Sequence, residues 1–96
     1  MGLIPAYLVS IDGSRLRRAR VKLRLSGAEL SSLSGVSQAT ISRAERERVR
    51  LTTDNFARLV YALSVEVGVS EADVSDWLRG DSEGLSGSPI ITEMAT

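Results

Sequence analysis

The apolar residues of this chain recur with helical periodicity. Phe56, Leu59, Val60 and Leu63 follow the i, i+3, i+4, i+7 spacing that places apolar side chains on one face of an amphipathic helix. Apolar positions at similar spacing predict four more helices, at residues 16–23, 28–33, 38–47 and 71–79. The pattern therefore predicts an all-α chain with five helices.

Polar residues and glycines mark where these helices begin and end. Ser26 with Glu29, and Ser70 with Asp73, have the spacing of a capping box, in which both side chains bind backbone N–H groups at the start of a helix. Further N-caps are predicted at Asp12 or Ser14, at Ser37, and at Thr52 or Thr53. Glycines are expected to end the second and fifth helices at Gly35 and Gly80, and the fourth helix is expected to give way to a link at residues 65–69 that contains Gly68.

The two ends of the chain differ in composition from its middle. Residues 3–11 are apolar, partly β-branched and interrupted by Pro5, which predicts an extended arm or a short strand. The C-terminal end is rich in Gly and Ser and holds too few apolar residues to fold alone. We therefore expect an N-terminal arm at 1–11, one domain at 12–79 and a flexible tail at 80–96.

The composition excludes several kinds of chemistry. The chain has no cysteine and no histidine, so it lacks disulfides, thiolate ligands and the commonest general base. We expect no enzyme activity, no metal site and no cofactor, and interpret the acids of the fifth helix as a solvated, capping face. Because no apolar run approaches the ~20 residues of a membrane span, we expect a cytoplasmic protein without membrane contact.

The net charge of zero hides an asymmetry along the chain. Residues 1–50 carry ten Lys and Arg against four acids, a net charge of +6, whereas residues 51–96 carry two Arg against eight acids, a net charge of −6. The basic half could face phosphate while the acidic half repels it. The same charges could also simply coat solvated helix faces, so the asymmetry does not by itself indicate a nucleic-acid partner.

A tight turn between the second and third helices carries the functional signal. Gly35 can adopt the left-handed backbone that such a turn requires, and Val36 supplies an apolar residue that locks the two helices together. Residues 25–46, and most specifically Gly-Val-Ser-Gln-Ala-Thr-Ile-Ser-Arg-Ala-Glu at 35–45, resemble the helix-turn-helix of the lambda repressor and Cro family, also called the XRE family. The resemblance covers about residues 13–78 and implies a compact, five-helix, lambda-repressor-like DNA-binding domain.

The resemblance also implies roles for individual residues. The third helix would read base edges in double-stranded DNA, and two cations of the first helix would contact phosphates. The residues implied for base reading are Ser37, Gln38, Ala39, Thr40, Ser42, Arg43 and Arg46, and those for phosphate are Arg17 and Arg24. Arg20 and Glu45 match a family pair that joins the first helix to the end of the third. The other cations of the first helix, Arg15, Arg18 and Lys22, are interpreted as solvated surface.

The chain departs from the family pattern at three positions. Gly27 replaces the usual Gln, which would bind a phosphate, and costs helix stability of up to ~1 kcal/mol relative to Ala. Ser31 replaces the usual Ala, and Ala44 replaces a larger apolar residue, which makes the core lighter there. DNA affinity would then depend on the first-helix arginines or on the basic stretch of Arg46, Arg48 and Arg50.

Three functions are compatible with these features. The first is a repressor, encoded by a bacterium, plasmid or phage, that binds a palindromic operator as a homodimer. The second is an antitoxin whose tail binds a toxin protein, and the third is an interaction module without DNA binding. The dimer interface is expected at Trp77 and Leu78, although core packing is an equal alternative for Trp77. Segments 3–11 or 89–91 could extend the interface by pairing as strands between the two subunits.

Overall fold

The structure, a computed structural model, describes residues 8–47 and 50–82. The five predicted helices are present, so the all-α fold is confirmed, with a two-stranded sheet as a minor addition. In chain order the elements are β1 (Leu8–Ser10), α1 (Gly13–Lys22), α2 (Gly27–Ser34), α3 (Gln38–Arg46), β2 (Arg50–Thr52), α4 (Thr53–Val67) and α5 (Glu71–Arg79). None of the helices in these ranges is long and apolar enough to cross a membrane. The predictions for residues 1–7, Arg48 and the segment 83–96 lie outside the described residues.

Each helix begins at a capping side chain that the sequence indicated. Asp12 rather than Ser14 caps α1, and Thr52 rather than Thr53 caps α4. Ser26, Ser37 and Ser70 cap the remaining helices, with a complete capping box at Ser26. The sequence signals therefore located each helix start, because an N-cap acts on backbone groups only two or three residues away. They left the choice between Asp12 and Ser14 open, and Ser70 caps α5 without the reciprocal bond of the capping box predicted with Asp73.

The predicted link at residues 65–69 is wrong, because α4 continues to Val67. The helix ends only at Gly68, whose backbone adopts φ 80° and whose N–H donates to the carbonyl of Ser64. Val67 packs, partly buried, against the core, so its side chain favours one more helical turn than the local pattern suggested.

The core lies where the five helices meet. Helix α1 packs on α3 and α5, and α4 packs on α2 and α5, while α3 rests on α1 and α2. This arrangement buries one side of α3 and leaves its opposite side free. The largest fully buried side chains come from every helix and from the turn before α3: Leu16, Leu30, Val36, Ile41, Leu59, Leu63, Val74, Trp77 and Leu78.

The described end of the N-terminal arm is a strand, as the sequence predicted for this region, but its partner was not foreseen. Strand β1 pairs antiparallel with β2 of the same chain, with Val9 opposite Leu51, and Leu51 is buried. The backbone N–H of Asp12 then donates to the carbonyl of Leu78, at 2.8 Å. The arm therefore joins the start of α4 to the end of α5 within one molecule, and the expected strand pairing between subunits is not needed to order residues 8–10.

Trp77 belongs to the core and not to an exposed interface. Its side chain is 1% exposed and Leu78 is fully buried, so the expected dimer interface at these residues is wrong. The prediction that Arg15 is solvated surface is wrong, because its side chain covers Trp77. Its guanidinium lies 5.6 Å from the centre of the indole ring and donates to the carbonyl oxygens of Trp77 and Ser82. Arg15 therefore covers the indole and satisfies carbonyl groups at the end of α5.

Candidate nucleic-acid interface

The turn between α2 and α3 has the geometry that a helix-turn-helix requires. Gly35 ends α2 with φ 79°, and its N–H donates to the carbonyl of Ser31 at 2.8 Å. Val36 is 1% exposed, and its N–H donates to the hydroxyl of Ser34 at 3.1 Å. The left-handed glycine and the buried valine together fix the angle at which α3 leaves α2.

Helix α3 is divided into a buried side and an exposed side. Ile41 and Ala44 are buried against the other helices. Five of the residues implied for base reading lie on the exposed side: Gln38, Ala39, Ser42, Arg43 and Arg46. At 100° per residue these five positions fall within an arc of about 140°, so they form one continuous exposed surface along α3.

Two other residues implied for base reading have a local task at the start of α3. The hydroxyl of Ser37 accepts a hydrogen bond from the backbone N–H of Thr40 at 3.1 Å, and the two hydroxyl oxygens are 2.8 Å apart in a second hydrogen bond. Ser37 is exposed, whereas Thr40 is only partly so. These hydroxyls hold the first turn of the helix, so a base or phosphate would have to share them.

The two arginines of the exposed side are held differently. The Nε of Arg46 donates to the carbonyl of Ser42, at 3.3 Å, which lays the side chain along its own helix. Arg43 is exposed, and within residues 8–47 and 50–82 no hydrogen bond or ion pair holds its guanidinium. Arg43 can therefore reach a base edge without breaking a contact within the protein, whereas Arg46 would have to give up its hydrogen bond to Ser42.

Arg20 and Glu45 join α1 to the end of α3. The Nε and one terminal nitrogen of Arg20 donate to the two carboxylate oxygens of Glu45 at 2.7 and 2.9 Å. The other terminal nitrogen donates to the carbonyl of Leu25 at 2.9 Å. The hydrogen bonds that Arg20 donates to Glu45 outweigh the effect of burial and raise the pKa of Arg20 above its ordinary value. One guanidinium thus fixes both the orientation of α3 and the connection that enters α2.

A second contact between α1 and α3 could not be predicted from the sequence. Gly13, the first residue of α1, lies against the carbonyl groups of Ala44 and Glu45, and a Cβ there would overlap the oxygen of Ala44. Ala44, which replaces the larger apolar residue of the family pattern, is fully buried where α1 crosses α3. The small residues at 13 and 44 therefore let α1 and α3 approach closely.

Arg17, one of the two cations implied for phosphate contact, lies beside this junction. Gly13, Arg17 and Arg20 follow i, i+4 and i+7 spacing and share one stripe of α1. Because Gly13 and Arg20 both contact the end of α3, the exposed side chain of Arg17 lies on the α3 side of α1. Arg24 is exposed in the connection to α2, with φ 58°.

A carboxylate also lies at the start of α2. Glu29 accepts a hydrogen bond from the backbone N–H of Ser26 at 2.8 Å, and this bond holds the pKa of Glu29 below its ordinary value. The negative charge of Glu29 interacts favourably with the N-terminus of α2, but it repels a phosphate there. The exposed cations Arg17 and Arg24, and not the N-terminus of α2, are thus the groups suited to phosphate.

This fold and this exposed helix define a helix-turn-helix domain, a motif that binds double-stranded DNA through its second helix. The family model for the helix-turn-helix matches residues 16–67, which is more than half of the chain. The chain belongs to this family, of the lambda repressor and Cro type. No solved structure gives a significant match to it.

Curated relatives come from three strains of Methanococcus maripaludis, C5, C7 and C6. Each is provisionally named an HTH-type transcriptional regulatory protein and is 30% identical over 74 residues. These residues make up 77% of this chain but only 22% of each relative. The chain thus corresponds to about a fifth of the length of these larger proteins.

Proposed function

We propose that this protein is a sequence-specific transcriptional regulator, a repressor that acts in the cytoplasm by occupying its operator. The observation that carries this proposal is the exposed side of α3, where Gln38, Ser42 and Arg43 face away from the core. A glutamine amide can pair with adenine and an arginine guanidinium with guanine, and each good bidentate pair discriminates by ~1–3 kcal/mol.

The way α3 is held supports recognition by a rigid surface. Its start is capped by Ser37, its end is joined to α1 by the Arg20–Glu45 pair, and its buried side packs through Ile41 and Ala44. A side chain that reads a base must be presented within a few tenths of an ångström, and such support restricts the helix to one position. Arg17 and Arg24 would fix the register by binding phosphates on either side.

A palindromic operator and a homodimer complete the proposal. One recognition helix reads only a few base pairs, and two copies related by a two-fold axis would read two half-sites about one helical turn apart. The regulatory names of the relatives support the same role. Because Trp77 and Leu78 are buried, the two copies would meet through other residues.

The test is selection of bound duplexes from a random DNA pool by the wild-type chain, by Arg43→Ala and by Arg79→Ala, at two salt concentrations. Arg79 serves as the matched control, since it also carries one positive charge but lies on α5, paired with Asp76 and Asp81. We expect the wild type and Arg79→Ala to enrich one palindromic motif and Arg43→Ala to relax it at one position per half-site. Failure of the wild type to enrich any motif at low salt would overturn the proposal.

A further inference from the structure

Helix α4 carries an apolar stripe on the side that faces away from the core. Ala57, Tyr61 and Val65 recur every fourth residue and are exposed, and the last two are each 59% exposed. At 100° per residue the three positions lie within an arc of about 80°, so they form one continuous surface, the α4 stripe. The other large apolar residues that are exposed in the described ranges lie singly on β1, α1 and α2: Leu8, Val21 and Leu33. Single exposed apolar residues are ordinary, whereas a row of them indicates a contact surface.

The α4 stripe is suited to a protein partner and not to DNA. Between residues 51 and 82 the chain carries two Arg against six acids, a net charge of −4, so this part of the molecule repels phosphate. Helix α4 packs mainly on α2 and α5, whereas α3 packs mainly on α1 and α2. A partner on the α4 stripe can therefore leave the exposed side of α3 free for DNA.

The α4 stripe is complementary in shape to a second copy of itself. If two α4 helices pack antiparallel about a two-fold axis at Tyr61, Ala57 of each copy faces Val65 of the other, four residues to either side of the axis. A small side chain thus meets a β-branched one at both ends of the contact, and the two tyrosine rings meet in the middle. Side chains spaced four residues apart also form the ridges that interdigitate most often when helices pack.

The charges beside the α4 stripe fit the same arrangement. Arg58 and Glu66 are both exposed, and on the helix they lie about 60° and 140° to the same side of Tyr61. Arg58 precedes Tyr61 and Glu66 follows it, so the two-fold axis brings Arg58 of one copy towards Glu66 of the other, twice. Asp54 pairs with Arg58 at 2.9 Å and keeps its guanidinium beside the stripe. Two copies are therefore complementary in charge as well as in shape.

We propose that the α4 stripe is the surface through which two copies of this chain meet on the operator, as an antiparallel α4 pair with Tyr61 at the two-fold axis. This inference rests on the proposed function, because it supplies the interface of the homodimer proposed there. Three side chains on one helix bury far less than the roughly 800 Å² per partner of a stable complex. The pair should therefore be weak in the free protein and should form fully when two half-sites hold two copies side by side.

The first experiment uses the free protein and requires no DNA. Because the chain has no cysteine, Tyr61→Cys introduces a single thiol, and at the two-fold axis this thiol lies next to its own copy. Oxidation at submillimolar protein concentration should give a disulfide-linked dimer several-fold faster than with Leu33→Cys, the matched control at an exposed apolar residue of α2. Equal rates for the two variants would overturn the inference.

The register of the pair can be tested with two further variants. When Ala57→Cys and Val65→Cys chains are mixed and oxidised, the mixed dimer should outnumber both homodimers, since residue 57 of one copy faces residue 65 of the other. Mass spectrometry distinguishes the three products. A product mixture without an excess of the mixed dimer would overturn the antiparallel arrangement.

The second experiment measures cooperativity on DNA. Affinities for the selected palindrome and for an isolated half-site are compared for the wild type, for Tyr61→Glu and for the control Leu33→Glu, which adds the same charge away from the α4 stripe. We expect Tyr61→Glu to bind the half-site like the wild type but to lose about tenfold or more on the palindrome. Leu33→Glu should keep the wild-type ratio of the two affinities.

The outcomes separate the two proposals. If the wild type enriches no motif, the proposed function fails, and the cross-linking rates still decide whether the α4 stripe pairs. If the wild type enriches a motif but binds its half-sites independently, or if Tyr61→Glu keeps the wild-type cooperativity, the interface is overturned while sequence-specific binding stands.

Discussion

Arg20 donates two hydrogen bonds to the carboxylate of Glu45, across the junction between α1 and the end of α3. The side chains are 19% and 7% exposed, so the pair is largely removed from water. Such a pair contributes more to the geometry of α3 than to net stability, but the loss of one partner leaves the other charge buried.

The first prediction concerns this pair. Glu45→Ala is expected to reduce the free energy of unfolding by about 3 kcal/mol, because Arg20 loses its partner while still buried. Urea unfolding followed by circular dichroism measures this change. Asp76→Ala, which removes an exposed carboxylate paired with Arg79, is the control and should cost less than about 1 kcal/mol. Equal losses in the two variants would contradict the role assigned to the Arg20–Glu45 pair.

The second prediction compares two glycines that each begin a helix. Gly13→Ala should destabilise the fold by about 1–3 kcal/mol, because the new Cβ overlaps the carbonyl of Ala44 and forces α1 away from α3. Gly27→Ala should leave stability unchanged or raise it by up to about 1 kcal/mol, since its Cβ meets only Gln38 at contact distance. The midpoint of thermal unfolding should therefore fall for Gly13→Ala and stay unchanged or rise for Gly27→Ala, and a midpoint for Gly13→Ala that did not fall would refute the close approach at Gly13.

The third prediction separates phosphate contacts from base contacts. Arg17→Ala and Arg24→Ala should weaken binding to all sequences similarly and should each reduce the salt slope by about 1. Fluorescence anisotropy at several salt concentrations, with specific and unrelated duplexes, measures both quantities. Arg79→Ala is the control with an unchanged slope. A variant at position 17 or 24 that altered the selected motif would instead place that side chain on a base.

The fourth prediction follows from the burial of Trp77. Trp77→Ala should destabilise the folded chain by about 3–5 kcal/mol, because it leaves a cavity where the indole packs under Arg15. Leu33→Ala, at a side chain that is 49% exposed, should change stability by less than about 1 kcal/mol. Denaturant unfolding at two protein concentrations measures both. A mild effect of Trp77→Ala that grew only on dilution would indicate an interface residue, contrary to its buried position.

The fifth prediction concerns pH. The hydroxyl of Ser14, aided by backbone N–H groups, holds the pKa of Asp12 below its ordinary value. The folded-state pKa is thus lower than the unfolded one, so the carboxylate adds stability above the unfolded pKa of about 3.9 and loses this effect as the pH falls through the folded-state pKa. Asp12→Asn keeps a capping oxygen but removes the charge.

This variant should therefore unfold at a lower temperature than the wild type at pH 7, and the difference should shrink below about pH 4. Thermal unfolding between pH 2 and pH 7 provides the measurement. A difference that stayed constant over this range would mean that the charge of Asp12 does not contribute.

The amino-acid sequence alone was sufficient for the presence of the five helices and for the turn that defines the motif, but not for the end of α4. The caps at Ser26, Ser37 and Ser70 and the breaks at Gly35 and Gly80 act within a few residues of themselves, so their effect can be read locally. The family resemblance likewise predicted which residues of α3 would be exposed, since it assigned Gln38, Ser42 and Arg43 to base reading.

Only the tertiary structure decided how distant surfaces meet. The pairing of β1 with β2, the cover of Arg15 over Trp77 and the contact of Gly13 with Ala44 all join segments far apart in the chain. The physical reason is that a glycine or an arginine has the same local preferences whether it is solvated or packed. Its role is set by the neighbours that the shared core brings to it.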